Sequence, residues 1–216
     1  MRPQRVDPVS ALCQWDRGLL RDFDSRSVAE LKRHCPAVRA LMPFLADFRE
    51  ANIQKEADKD RLIIEKSAEA HLGGSGGVDA EEIFEMTRDL DRAFVRKLSR
   101  ARLSVRLDYE EIRPLRTERI ALLSETVGRL LGGWDGSGAL ADAARRAFTR
   151  KGLESSVFHI LRLYSQETRA LSRSMRLPLF FGLAAGALSR QLYEAMEAVS
   201  AELASETAAA VFGPAD

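Results

Sequence analysis

Apolar residues recur every three or four positions along most of the chain, the spacing of amphipathic α-helices. The clearest apolar face comprises Ile83, Met86, Leu90, Phe94 and Leu98. Alternation of apolar and polar residues, the strand pattern, is confined to Leu103–Leu107 and is too short to predict a strand. The pattern predicts an all-α protein, an antiparallel bundle of about six to eight long helices joined by short Gly-rich turns.

One helical-bundle domain is predicted over residues 26–216, after an irregular or loosely helical lead-in over residues 1–25. Ser25 or Ser27 is the predicted cap of the first helix. Asp79 and Asp108 are each followed by glutamates in the next turn, so both are predicted helix N-caps. The predicted turns lie near residues 73–78, 103–108, 132–138, 151–152 and 177–178.

The predicted helix from Pro43 to Leu72 has an unusual middle. Arg49–Arg61 is almost wholly polar, whereas apolar residues mark both ends of the helix. This segment is either solvated or packed against another polar surface. Two carboxylates of this helix and two of the next predicted helix are consistent with solvated faces: Asp58, Asp60, Asp89 and Asp91. We assign no acid or base role to them.

A second regular pattern lies in the predicted helix 153–176. Its apolar positions follow a 4-3-4-3-4 spacing, typical of a coiled-coil-like seam: Val157, Leu161, Tyr164, Thr168, Leu171 and Met175. Gly182 and Gly186 then form a small-xxx-small pattern that favours close helix packing. The seam and the glycines predict helix contacts, either within one bundle or with another copy, and we lean to an oligomer or a hetero-complex.

Composition agrees with a globular helical protein. Hydrophobic residues make up 45% and charged residues 30%, and alanine and leucine outnumber the β-branched residues. The formal net charge is only +1, but it is unevenly distributed. Residues 92–106 contain six basic residues and no acidic one, whereas residues 191–216 contain five acidic residues and no basic one. Such sorting is typical of faces that select partners.

Two arginine stripes are the candidate binding residues. Arg88, Arg92, Arg96 and Arg100 are spaced four residues apart, opposite the apolar face of their helix. On the helix 153–176, the predicted outward positions hold Arg162, Arg169, Arg173 and Arg176. Each stripe is either a solvated or internally paired face, or a track for phosphates or anionic headgroups. For both stripes, the interpretation as a solvated or internally paired face is favoured.

Catalytic and cofactor signatures are weak. The three histidines lack the Glu-x-x-His spacing of di-iron bundles, and the Gly-rich segment 132–138 follows a helix rather than the strand that a nucleotide site requires. We therefore predict no metal or cofactor and assign no catalytic residue. The longest uncharged run, Leu177–Ser189, is shorter than a membrane span, so no transmembrane helix is predicted.

The sequence thus favours a non-catalytic helical scaffold or adaptor that acts through charged helix faces. A nucleic-acid-binding or anionic-surface-binding subunit is the first alternative, and a helical enzyme without a recognisable motif is the second. A protein partner or self-association ranks first among partners, then nucleic acid, and peripheral membrane contact ranks below them. Two cysteines and no apolar leader favour a cytoplasmic location.

Overall fold

The computed structural model describes residues 7–35, 38–75, 77–136, 138–176 and 182–214, with the side chains of 182–187 excluded. The described elements are α1 (Pro8–His34), α2 (Val38–Leu72), α3 (Ala80–Met86), α4 (Arg88–Arg100), β1 (Ser104–Val105), α5 (Tyr109–Gly132), α6 (Leu140–Ala147), α7 (Arg150–Ser174), β2 (Met175–Arg176) and α8 (Gly182–Phe212). The prediction of an all-α helical bundle is confirmed.

Five long helices form a closed ring in the order α1, α2, α5, α7, α8, because α8 packs back against α1. Contacts such as Asp24 with Arg49 and Arg169 with Tyr193 show that α1/α2 and α7/α8 are antiparallel pairs. The α2/α5 pair is parallel, since Glu56 meets Arg119 and His71 lies near Gly132. The intervening helix α4 runs back along α2 and allows this parallel arrangement.

The N-terminal region differs from the prediction. Residues 8–25, predicted to be an irregular or loosely helical lead-in, are the first two-thirds of the regular helix α1, and neither Ser25 nor Ser27 caps a helix. Asp7 caps α1 by accepting hydrogen bonds from the backbone N–H groups of Val9 and Ser10. Pro8 occupies the first helical turn, where its missing N–H costs nothing. The helix then buries Leu12, Leu19, Leu20 and Phe23 in the core.

The predicted caps Asp79 and Asp108 are both confirmed as N-caps, of α3 and α5. The turn predicted near 151–152 lies instead at 148–149, and Gly152 is inside α7. The turn predicted at 177–178 lies outside the described residues. Pro43, also predicted to start a helix, lies inside α2.

The short alternating segment does form a strand, although only two residues long. Ser104 pairs with Arg176 and Val105 with Met175 in an antiparallel ladder. Val105 and Met175 point into a small apolar cluster that also holds Phe48, Phe94, Leu98, Leu103 and Leu171. This ladder joins the α4–α5 connection to the end of α7, two segments that are distant in sequence.

Candidate functional site

The first arginine stripe is only partly free. Arg88 donates to Glu85 at 2.6 Å and lies over the ring of Tyr109, and Arg92 pairs with Asp89 at 2.7 Å. Arg96 and Arg100 are exposed and form no ion pair with any residue that the structure describes. The stripe therefore divides into a paired first half and an open second half.

The open half continues onto the β1–β2 ladder. Arg102 and Arg106 flank Ser104 by two residues on either side, and Arg176 lies directly across from Ser104. All three arginines are exposed and have no ion-pair partner within the described ranges. We call the set Arg96, Arg100, Arg102, Arg106 and Arg176 the arginine surface. Its members lie at the end of the bundle where α4 and α7 finish and α5 begins.

The second predicted stripe does not form one open face. Arg162 is half-buried, and Arg169 lies 4.3 Å from the ring centroid of Tyr193. Arg173 pairs with Glu111 of α5. Of the four predicted residues, Arg176 alone joins the arginine surface.

The predicted seam on α7 lies inside the bundle. Val157, Leu161, Tyr164, Thr168, Leu171 and Met175 are all buried within the chain. Tyr164 and Thr168 also accept hydrogen bonds from the side-chain amide of Asn52 on α2. The association hypothesis therefore depends on the charged surfaces rather than on this seam. Gly182 begins α8, and the packing around Gly182 and Gly186 lies outside the described side chains.

A buried charged layer is the main feature that sequence reasoning missed. It contains four cations and five carboxyl groups from five helices: Lys55, Lys59, Arg116, Arg119, Asp16, Glu56, Asp60, Asp91 and Glu167. On α2 the layer falls between Ala51 and Ile63, and on α5 between Ile112 and Ile120. On α5 the charged residues thus lie between the smaller cluster beneath the ladder and the main apolar core, whereas on α1 main-core residues lie on both sides of Asp16.

Arg116 is the centre of one half of the charged layer. Its guanidinium donates to Asp91 at 2.7 Å, to Glu167 at 2.6 Å and to the hydroxyl of Thr87 at 3.0 Å. Lys59 also reaches Asp91, with an N–O distance of 2.6 Å. Burial alone would raise the pKa of Asp91, but Lys59 and Arg116 hold that pKa below its ordinary value. Asp91 is therefore a buried carboxylate.

Arg119 is the centre of the other half. It donates to Asp60 at 2.5 Å and also to Glu56, and Lys55 lies 2.7 Å from Glu56. Although burial opposes ionisation, the surrounding cations hold the pKa of Glu56 well below its ordinary value. Burial also lowers the pKa of Lys55, against the attraction of Glu56. The ion pairs thus outweigh desolvation for Glu56 but not for Lys55.

Asp16 and Asp60 differ from Glu56, Asp91 and Glu167, because burial raises the pKa of both. The negative charge and hydrogen bond of Asp60 raise the pKa of Asp16 further. One proton shared by this pair leaves four cations facing four negative charges in the layer.

Beside this layer, a series of polar side-chain contacts connects the core with the surface. Arg49 lies 3.0 Å from Asp24, which accepts a hydrogen bond from the Tyr164 hydroxyl at 3.2 Å. Tyr164 in turn accepts from the amide of Asn52 at 3.0 Å. Burial raises the pKa of Asp24 to about 6, although Arg49 and Tyr164 favour its carboxylate.

The charged layer leaves little room for a ligand. The cavity within it has a volume of about 10 Å³ and is lined by residues that include Lys59, Thr87, Arg116 and Arg119. Such a volume is close to that of one water molecule. The arrangement can therefore align helices through specific ion pairs, but in this conformation it cannot hold a substrate.

In the sequence, the polar stretch in the middle of α2 is the feature that indicates this layer. Of the two interpretations offered for Arg49–Arg61, packing against another polar surface is the one observed for Lys55, Glu56, Lys59 and Asp60. The prediction that Asp60 and Asp91 are solvated is wrong, since both are 0% exposed. Asp89, by contrast, lies on the surface.

Among the described residues, no group of three or more His, Cys, Asp or Glu side chains is placed to hold a metal ion. None of the described helices is long and apolar enough to cross a bilayer. No known protein family, curated relative or solved structure matches this chain.

Proposed function

We propose that the protein is a non-catalytic helical scaffold that docks an anionic partner on its arginine surface. The observation that carries this proposal is that five exposed arginines near one end of the bundle have no carboxylate partner among the described residues. Guanidinium groups bind carboxylates and phosphates through paired hydrogen bonds, so an unpaired cluster suits an anionic surface.

In this proposal the buried charged layer has a structural role. Five helices contribute to it, and its ion pairs connect α2 with α4 and α5, and α5 with α4 and α7. A buried polar layer can specify register even where it adds little net stability. In this proposal the layer fixes α4 and α5 relative to α7, and so fixes the positions of the arginines at the bundle end.

The two cysteines, Cys13 and Cys35, are both unpaired. Free thiols suit a reducing compartment, so we place the protein in the cytoplasm as part of this proposal.

Fluorescence titration with soluble polyglutamate tests the docking surface. We expect the variant Arg96→Glu/Arg106→Glu to bind this polyanion about tenfold more weakly than the wild type, with a shallower dependence on salt. Arg21→Glu/Lys151→Glu is the matched control, because both residues are exposed, lack ion-pair partners in the described structure and give the same charge change. Equal weakening by the two variants would show only a general charge effect and would refute the docking surface.

A further inference from the structure

We propose that a cavity between α2 and α5 binds a small, uncharged, planar heteroaromatic molecule of the nucleobase type. This site is separate from the arginine surface and goes beyond the proposed docking function. The cavity lies between the C-terminal halves of the two parallel helices, beside the connection from α2 to α3, and has a volume of about 440 Å³. Pockets for small ligands typically measure about 300–1000 Å³.

Ser67 lies at the closed base of this cavity. It is 4% exposed, whereas the other lining residues are half-buried or exposed. Its hydroxyl has no hydrogen-bond partner among the described residues. Helical serines commonly donate to the carbonyl four residues earlier, as the hydroxyls of Ser99 and Ser172 do. Because an unpaired buried hydroxyl destabilises the folded state, a molecule that enters the cavity and pairs with Ser67 gains a favourable hydrogen bond.

Two further neutral groups line the cavity. The hydroxyl of Ser124 and the imidazole of His71 form no hydrogen bond or ion pair with any described residue. Together with Ser67 they present hydrogen-bonding atoms from both helices, and each of the three groups can donate or accept. The edge of a heteroaromatic ring, where ring nitrogens alternate with amino or carbonyl groups, is complementary to such a set.

The ionic side chains of the lining do not favour a charged ligand. Glu125 and Arg129 lie one turn apart on α5 and pair with each other. An anionic ligand would compete with Glu125 for the guanidinium, and a cationic ligand would compete with Arg129 for the carboxylate. The cavity therefore suits an uncharged molecule, in contrast to the arginine surface.

The rest of the lining favours a flat ligand with apolar faces. Val78 and Ala121 are apolar, and Gly128 has no side chain. A Cβ atom placed on Gly128 would reach only ordinary contact with His71, 4.0 Å from Nδ1, so the space over this glycine is open. A sugar would place unpaired hydroxyl groups against these residues, and a hydrocarbon would leave Ser67 unpaired. A heteroaromatic ring combines a polar edge with apolar faces and can stack on an imidazole.

NMR of the full chain with carbon-13-labelled histidines tests the inference, with adenine as the probe. The chain has three histidines. We expect adenine to shift the imidazole signals of His71, because it binds beside that ring, and to leave those of His34 and His159 unchanged. The comparison molecule is myo-inositol, which has hydroxyl groups but no flat ring, and it should shift none of the three.

Three variants locate the binding site. Ser67→Ala should weaken adenine binding about tenfold, because one buried hydrogen bond is lost. Gly128→Leu fills the cavity and should abolish binding, and circular dichroism establishes that this variant is folded. Ser172→Ala is the matched control, because Ser172 is also a buried helical serine but lies on α7, outside the cavity. It should keep the affinity within about twofold.

Urea denaturation without adenine tests the unpaired hydroxyl itself. Ser67→Ala should unfold at the same urea concentration as the wild type or at a higher one, because it removes an unpaired buried group. Ser172→Ala should unfold at a lower concentration, because its hydroxyl is bonded to the carbonyl of Thr168. A lower midpoint for Ser67→Ala would show that its hydroxyl already has a partner and would overturn the inference.

Three binding results would also overturn it. The first is the absence of a His71 shift up to the solubility limit of adenine. The second is an equal response to myo-inositol, and the third is unchanged adenine affinity in Ser67→Ala. None of these results bears on the arginine surface, which the polyglutamate titration tests separately.

Discussion

The side chains of Asp16 on α1 and Asp60 on α2 meet in the buried charged layer, where burial raises the pKa of both carboxyl groups. Arg119 also donates to Asp60, at 2.5 Å. A proton on Asp16 removes the repulsion that two buried carboxylates would otherwise create. The protonation of this pair therefore affects the packing of α1 against α2.

Replacement of Asp16 by Asn should stabilise the protein near neutral pH. Because burial raises the folded pKa of Asp16 well above its ordinary value of 3.8, folding of the wild type takes up a proton at pH values between the unfolded and the folded pKa. The contribution of Asp16 is thus fully favourable below pH 3.8 and is lost as pH rises toward the raised folded pKa. We expect Asp16→Asn to gain about 1 kcal/mol or more near pH 7.

Urea denaturation of the wild type and Asp16→Asn over a pH series measures this difference. The gain should grow as pH rises from the unfolded pKa. Asp60→Asn is the contrasting variant, because it removes the negative charge that pairs with Arg119 and should destabilise the folded protein. A pH-independent difference between Asp16→Asn and the wild type would contradict the protonated pair.

Truncation of Arg116 should cost about 3–5 kcal/mol of unfolding free energy, because it leaves Asp91 and Glu167 buried with fewer cations. Arg113→Ala is the control. Arg113 pairs with Glu81 and Glu85 at the surface, and its loss should cost about 1 kcal/mol or less. Both values come from urea denaturation with an unchanged slope, and similar losses for the two variants would argue against a buried ionic layer.

Tyr164→Phe should raise the pKa of Asp24 above its value of about 6, because the tyrosine hydroxyl stabilises the Asp24 carboxylate. Carbon-13 NMR of the aspartate side chains follows this titration directly. We also expect a loss of about 1 kcal/mol from the broken hydrogen bonds. Tyr193→Phe is the control and should leave the titration of Asp24 unchanged, as its ring contacts Arg169 instead. An unchanged midpoint in Tyr164→Phe would contradict the hydrogen bond.

Charge reversal at Arg96 and Arg106 should alter the unfolding free energy by about 0.5 kcal/mol or less, since neither side chain is buried or ion-paired in the described structure. The helix α2 approaches this region through Glu50, which lies 3.9 Å from Lys97. Thermal melting at low and high salt checks the result. A large, salt-sensitive destabilisation would indicate that these arginines are paired within the bundle.

The fold class could be read from the sequence because helix periodicity and helix caps are local signals. Asp79 and Asp108 are correctly predicted as caps for that reason. The regular α1 helix is harder to predict because its cap Asp7 is followed by Pro8 and by no glutamate in the next turn, although proline is well tolerated in a first turn. The short ladder escaped prediction because Met175 and Arg176 are distant in sequence from their strand partners.

The candidate site was less predictable. Helical spacing identified Arg96 and Arg100 as surface residues, but the addition of Arg102 and Arg106 depends on how the chain leaves α4. The charged layer depends on long-range partners: Lys59 meets Asp91, and Arg116 meets Glu167. The polar stretch Arg49–Arg61 indicates that this part of α2 is either solvated or packed against polar residues. The periodicity of one sequence does not show which residues of other helices pack against it.

The closed ring of helices has a consequence for synthesis on the ribosome. Asp16, Glu56 and Asp60 emerge early, yet Arg116 and Arg119 follow about sixty residues after Glu56, and α8, which completes the ring against α1, comes last. The nascent α1–α2 hairpin has Lys55 and Lys59 beside Glu56 but lacks Arg119, the cation that pairs with Asp60. Because α8 is made last, the ring of helices closes only once nearly the whole chain has been synthesised.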